Sequence, residues 1–156
     1  MKLGMKVRKH DLDDMLKFNP NFLEFHFSDS DLKLQLEQNF ELGLIVHCYE
    51  YFDKKLLDIT SLGETNQIHS RQKTVELIQQ AIDKTILLNE QFQGIPSLIV
   101  HPGGYSLNPL SSSEIEKMKN NMMISVKELD FKNVNFLMEN MPPYAWFFSG
   151  RWNSNV

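Results

Sequence analysis

The chain has 156 residues, 42% of them hydrophobic and 23% charged, a balance that suits one packed domain and excludes a disordered or fibrous chain. Sixteen Lys and Arg against twenty Asp and Glu leave a formal net charge of -4, which speaks against the broad basic footprint that nucleic acid requires. The lone Cys48 excludes an internal disulfide, no apolar run reaches the roughly 20 residues of a membrane span, and no secretory h-region opens the chain, so a cytoplasmic setting is expected.

Periodicity and punctuation predict alternating strands and helices in chain order. Residues 2–7 read as the first strand, 11–18 as a short helix, 22–27 as the second strand and 31–39 as a second helix. Residues 43–48 form the third strand, 66–92 a long helix, 97–101 the fourth strand, 112–129 a further helix and 134–139 the fifth strand. In the long helix, Val75, Ile78, Ile82 and Ile86 recur at three- and four-residue spacing and mark one apolar stripe that should cover a sheet. Ser111, Ser112 and Ser113 offer N-cap hydroxyls, with Glu114 and Glu116 in the first turn. Strand-helix alternation of this kind is the pattern of βαβ units around a parallel sheet, so the fold class expected is α/β, with about five β/α units in a single domain over residues 1–156. The longest connection, residues 49–65, leaves a strand end, where parallel α/β folds usually carry functional loops.

Three strand ends carry residues able to bind a metal: His47 after Leu44-Ile45-Val46, His101 after Leu98-Ile99-Val100, and Glu139 after Phe136-Leu137-Met138. Carboxyl ends of parallel strands converge on one edge of a sheet or one mouth of a barrel, and two imidazoles with a carboxylate suit a divalent ion. Pro102-Gly103-Gly104 follows His101 as a turn that lets backbone approach a ligand or serves plain turn chemistry, and Asn140 follows Glu139. In the second strand, alternation puts Glu24 and His26 on one face and the apolar residues on the other, so that His26 or Asp29 could contact substrate or belong to an interior polar network. Tyr49, Glu50 and Tyr51 are placed to shape a pocket, Glu50 with acid/base capacity. Cys48 should face away from His47, His10 and His69 should be solvated at helix starts, and the aromatic tail 144–152 offers a sugar-stacking surface or exposed apolar surface.

The strings Leu44-Ile45-Val46-His47, Val100-His101-Pro102-Gly103 and Met138-Glu139-Asn140, in that order and spacing, resemble the third, fourth and fifth strand ends of the xylose-isomerase-like TIM barrels. That superfamily holds sugar and sugar-phosphate isomerases and epimerases and apurinic-site endonucleases. The resemblance implies a partial (β/α)8 barrel in which His47, His101 and Glu139 hold one or more divalent metals (Zn, Mn, Mg or Co), with Glu139 also the catalytic candidate and His26, Tyr49, Glu50 and Asn140 toward substrate. It implies an isomerase or epimerase acting on a sugar or sugar phosphate; the alternatives are an apurinic-site endonuclease and a non-catalytic remnant or interaction module. A full barrel takes about 250 residues, and five units use all 156. The expectation is therefore a truncated or split form, completed by a missing C-terminal half or by a homo-oligomer.

Overall fold

The computed structural model describes residues 2–106, 109–140 and 153–154. It is α/β, with a five-stranded parallel sheet in the order β1-β2-β3-β6-β8, open among the described residues. Its strands are β1 (Gly4–Val7), β2 (Phe22–His26), β3 (Gly43–His47), β6 (Ser97–Val100) and β8 (Asn135–Met138). The remaining elements are α1 (Leu12–Leu16), a 3-10 turn (Asp29–Lys33), the short strands β4 (Tyr51–Phe52), β5 (Lys55–Leu56), β7 (Tyr105–Ser106) and β9 (Asn153–Ser154), and helices α2 (Arg71–Asn89) and α3 (Ser112–Glu128). The chain divides into two compact units.

The first unit takes in the described residues of Met1–Tyr49, Gln79–Val100 and Phe131–Leu137. Its strands are in step: Leu23 pairs Met5 and Leu44, Phe25 pairs Val7 and Val46, and Val46 pairs Leu98. These residues point to one side and, apart from the half-buried Met5, are buried, whereas Phe22, Glu24, His26 and Ile45 alternate to the other side and are half-buried. The predicted alternation of β2 therefore holds. Phe92, just past α2, meets Phe25 edge to face at 6.2 Å and stacks on Phe40 at 4.7 Å. Each aromatic pair of this geometry adds about 1 kcal/mol beyond its burial. Lys84 of α2 is buried and donates to the Leu34 carbonyl, and burial depresses its amine below the usual lysine range.

Two predicted helices are corrected. Residues 31–39 hold no α-helix: Asp31 turns back to accept from the Ser28 backbone N–H and hydroxyl, both at 2.7 Å, and Leu34 is already extended at ψ 130°. Side-chain bonding of this local kind competes with helix propagation. The long helix starts at Arg71 rather than near residue 66, because Ile68 bridges Leu56 and the His69 N–H donates to the Leu56 carbonyl. His69 is accordingly buried, its Nε2–H donating to the Phe52 carbonyl at 2.8 Å, and not solvated as expected. The apolar stripe of α2 also turns slightly. Ile78 and Ile82 are fully buried, but Val75 and Ile86 flank a face completed by Thr74, Leu77, Ala81, Thr85 and Leu88.

The second unit takes in the described residues of Glu50–Ile78, His101–Asp130 and Met138–Val156. It opens with the β4–β5 hairpin, whose two turn residues Asp53 and Lys54 both lie in the left-handed region at φ 47° and 64°, the geometry of a two-residue primed turn. Helix α3 is fastened to the long loop: Ser125 donates to the Ile59 carbonyl at 2.8 Å, Asn121 to the Ser61 carbonyl at 2.8 Å, and Glu128 takes a two-pronged ion pair from Arg71. The predicted N-cap forms on Ser111, which accepts from the Glu114 N–H at 3.3 Å while Glu114 reaches back to the Ser111 N–H at 2.8 Å. The bonds from Ser111 hold the Glu114 carboxyl below the usual range. Ser111→Ala is expected to lower the melting temperature by about 2–4 °C, the effect of losing one helix cap in a chain of this size; an unchanged melting curve would show that α3 does not depend on this cap.

Candidate functional site

His101 follows directly on β6 and leads into the Pro102-Gly103-Gly104 turn. In the second unit its imidazole is held between two carboxylates, with Nδ1 3.0 Å from Glu50 Oε1 and Nε2 3.2 Å from Glu139 Oε2. Glu50 comes from the start of the long loop, Glu139 from the end of β8. The His101 side chain is 12% exposed, Glu50 20% and Glu139 57%, so solvent reaches the group from the Glu139 side. Burial pulls the imidazole down, but the two carboxylates together outweigh it and its pKa stands above the ordinary histidine value.

That geometry matches a metal ligand with its outer support. A ligating histidine usually gives its second ring N–H to a carboxylate, which fixes the tautomer and raises its basicity. Glu50 is placed for that role on Nδ1, leaving Nε2 as donor atom beside Glu139. Two donors bound to one ion at about 2.1 Å each stand about 3.0–3.4 Å apart, and the Nε2–Oε2 separation falls in that interval.

In the first unit, the sheet register places His26 opposite His47, and their rings lie 4.2 Å apart. His47 is buried at the carboxyl end of β3, and its Nδ1 is 3.2 Å from the Cys48 carbonyl. A carbonyl oxygen only accepts, so this bond puts the hydrogen on Nδ1. His47, His101 and Glu139 are each of a type able to bind a metal ion, and of the three His101 and Glu139 lie together in the second unit. Tyr49 is buried, and burial, reinforced by Cys48 and Asp29, pushes its phenol well above the usual range. Cys48 is buried as well, its thiol pushed up to about 12, so it stays protonated and is no nucleophile. Asn140 and Asp29 are exposed. The aromatic tail 144–152 lies outside the described residues.

The structure adds one residue that sequence reasoning passed over. Asp58 is 1% exposed and its carboxylate accepts from the Thr60 N–H at 2.8 Å, the Thr60 hydroxyl at 2.6 Å, the Gly104 N–H at 3.2 Å and the Tyr105 N–H at 3.3 Å. Burial pushes its carboxyl up against the downward pull of those four donors. Gly103 sits at φ 92°, and a Cβ there would come 2.4 Å from Asp58 Oδ1. The close backbone approach that the two glycines permit is thus to Asp58, which anchors the turn that carries His101. The Asp-x-Thr spacing, an aspartate able to bond its own backbone two residues on, was the available signal.

No family model, curated protein or solved structure matches this chain.

Proposed function

We propose that the chain carries the metal-binding strand ends of an isomerase or epimerase acting on a sugar or sugar phosphate, on the (β/α)8 barrel plan that its sequence resembles. The observation that carries the reading is the placement of His101, with one ring nitrogen on Glu50 and the other beside Glu139. His47 is the third ligand in this reading, as the resemblance of the three strand ends implies. Two imidazoles and one carboxylate favour zinc, manganese or cobalt over magnesium, which prefers all-oxygen sites.

When bound, the ion polarises a substrate carbonyl or hydroxyl oxygen. The chain's own groups hold the rest. Glu50 keeps the proton on His101 Nδ1, the Cys48 carbonyl keeps it on His47 Nδ1, and Glu139 supplies the exposed carboxylate nearest an incoming substrate. His26, beside His47, and Asn140, next to Glu139, are the groups proposed to contact sugar hydroxyls, and Tyr49 lies next to Glu50 in the chain as a wall of that site.

Calorimetric titration of the purified chain with Zn2+ and Mn2+, followed by aldose-ketose interconversion assays on sugars and sugar phosphates, tests the reading. One ion per chain and an interconversion lost on chelation are the expected results. Absence of binding for both ions would sink the metal reading. Cleavage of an abasic duplex without sugar turnover would replace it with the endonuclease, and binding without either reaction would leave an interaction module.

A further inference from the structure

A concavity lies in the first unit, and none of the residues that line it is assigned above to the metal. It is an open groove of about 500 Å³ lined by Arg8, Lys9, His10, Ser28, Ser30 and Asp31. Arg8-Lys9-His10 follows directly on β1, and Ser28 stands two residues past the end of β2. These strands run parallel with Val7 opposite Phe25, so both loops leave the same carboxyl edge of the sheet, where open α/β sheets bind their ligands.

The lining is built for an anion. Two permanent cations and one imidazole face a single carboxylate, and that carboxylate is occupied: Asp31 Oδ2 accepts from the Ser28 N–H and the Ser28 hydroxyl, both at 2.7 Å. With its hydrogen given to Asp31, Ser28 can only accept from Ser30, whose oxygen lies 2.9 Å away. The Ser30 hydroxyl is therefore a donor free to rotate toward a stronger acceptor. Arg8 is fixed at both ends. Its backbone N–H donates to Asp11 Oδ1 at 2.6 Å and its Nη1 to the His26 carbonyl at 3.1 Å. One guanidinium hydrogen is used in that bond, and the rest of the fork is pre-oriented at the rim, which lowers the entropy lost when a tetrahedral oxyanion is gripped.

We propose that this concavity is a binding site for the phosphate group of a small phosphate monoester. A monoester dianion gains more from two cations in one place than a phosphodiester does, and a net charge of -4 repels a long polyanion that must lie across the surface. The proposal stands apart from the metal reading, because none of its residues is a metal candidate and binding needs no metal and no turnover.

The test is 31P NMR and calorimetric titration of the metal-free full chain with inorganic phosphate and a hexose 6-phosphate, against the free hexose and a short DNA duplex. Both phosphates are expected to bind in the millimolar range or tighter and to weaken as salt rises, the free hexose at least tenfold more weakly. Arg8→Gln should reduce phosphate affinity about tenfold or more. Because Arg8 also ties β1 to β2, Lys9→Gln is the control: this exposed side chain makes no structural bond among those described, and its loss should weaken phosphate several-fold with the melting temperature unchanged. Equal phosphate affinity in wild type and Lys9→Gln, or duplex binding that depends on Lys9 while the monoester does not bind, would overturn the proposal.

Discussion

Asp58→Ala is expected to destabilise the chain by about 3–5 kcal/mol, because it strands three buried N–H groups and one hydroxyl, each costing about 1–3 kcal/mol when unpaired, with part of that recovered by relaxation. The donors come from Thr60 on the long loop and from Gly104 and Tyr105 after β6. At about 2–4 °C per kcal/mol, the melting temperature should fall by roughly 10 °C. Asp58→Asn keeps the shape but turns one acceptor oxygen into a donor facing other donors, so it should recover only part of the loss. A drop of a degree or two for Asp58→Ala would mean that water replaces the carboxylate and that the loop does not rely on it. Gly103 makes an independent check, since its Cβ site is already taken by Asp58.

The second large effect is expected at the imidazole and its two carboxylates, and its value lies in the ranking. His101→Ala and Glu139→Gln each remove a donor atom and should take Zn2+ binding below detection in the calorimeter. Glu50→Gln removes no donor. It exchanges a charged acceptor on Nδ1 for a neutral one, and should weaken Zn2+ by about 10- to 100-fold, the usual cost of losing an outer-shell carboxylate. Since Glu50 is the more enclosed of the two carboxylates, equal losses for Glu50→Gln and Glu139→Gln would make Glu50 a direct ligand and remove its orienting role. No loss in any of the three would leave His101 as an imidazolium bridging two acids, a structural group.

The sheet was legible because burial of one face imposes period-two alternation on each strand, seen in Leu23, Phe25 and Phe27 against Glu24 and His26. The candidate donors were legible for a related reason: polar residues at the ends of apolar runs stand out as His47 and His101 do. What escaped depends on partners distant in sequence. Asp58 finds Gly104 and Tyr105 more than forty residues on, and nothing local marks that pairing. His69 looked like the first turn of a solvated helix until Leu56 claimed its backbone. Residues 31–39 have helical spacing, yet Asp31 spends its carboxylate on Ser28 and breaks the segment locally. The basic tripeptide after β1 was passed over for the opposite reason, since an overall negative charge draws attention away from a local positive concavity.

The register of the sheet has a consequence for the order in which it is assembled. β1, β2 and β3 pair residues roughly twenty apart in sequence, whereas Ile45 of β3 must wait for Ser97 of β6. The entropy of closing that long excursion is lost before a single β3–β6 bond repays it. The three N-terminal strands are thus expected to form first, with β3 holding an unpaired edge open until the chain returns, an order that pulsed amide exchange during refolding would check. During that interval its apolar run Leu44-Ile45-Val46 is the stretch most exposed to pairing with another molecule, so refolding yield should be governed by concentration at this step more than by any other.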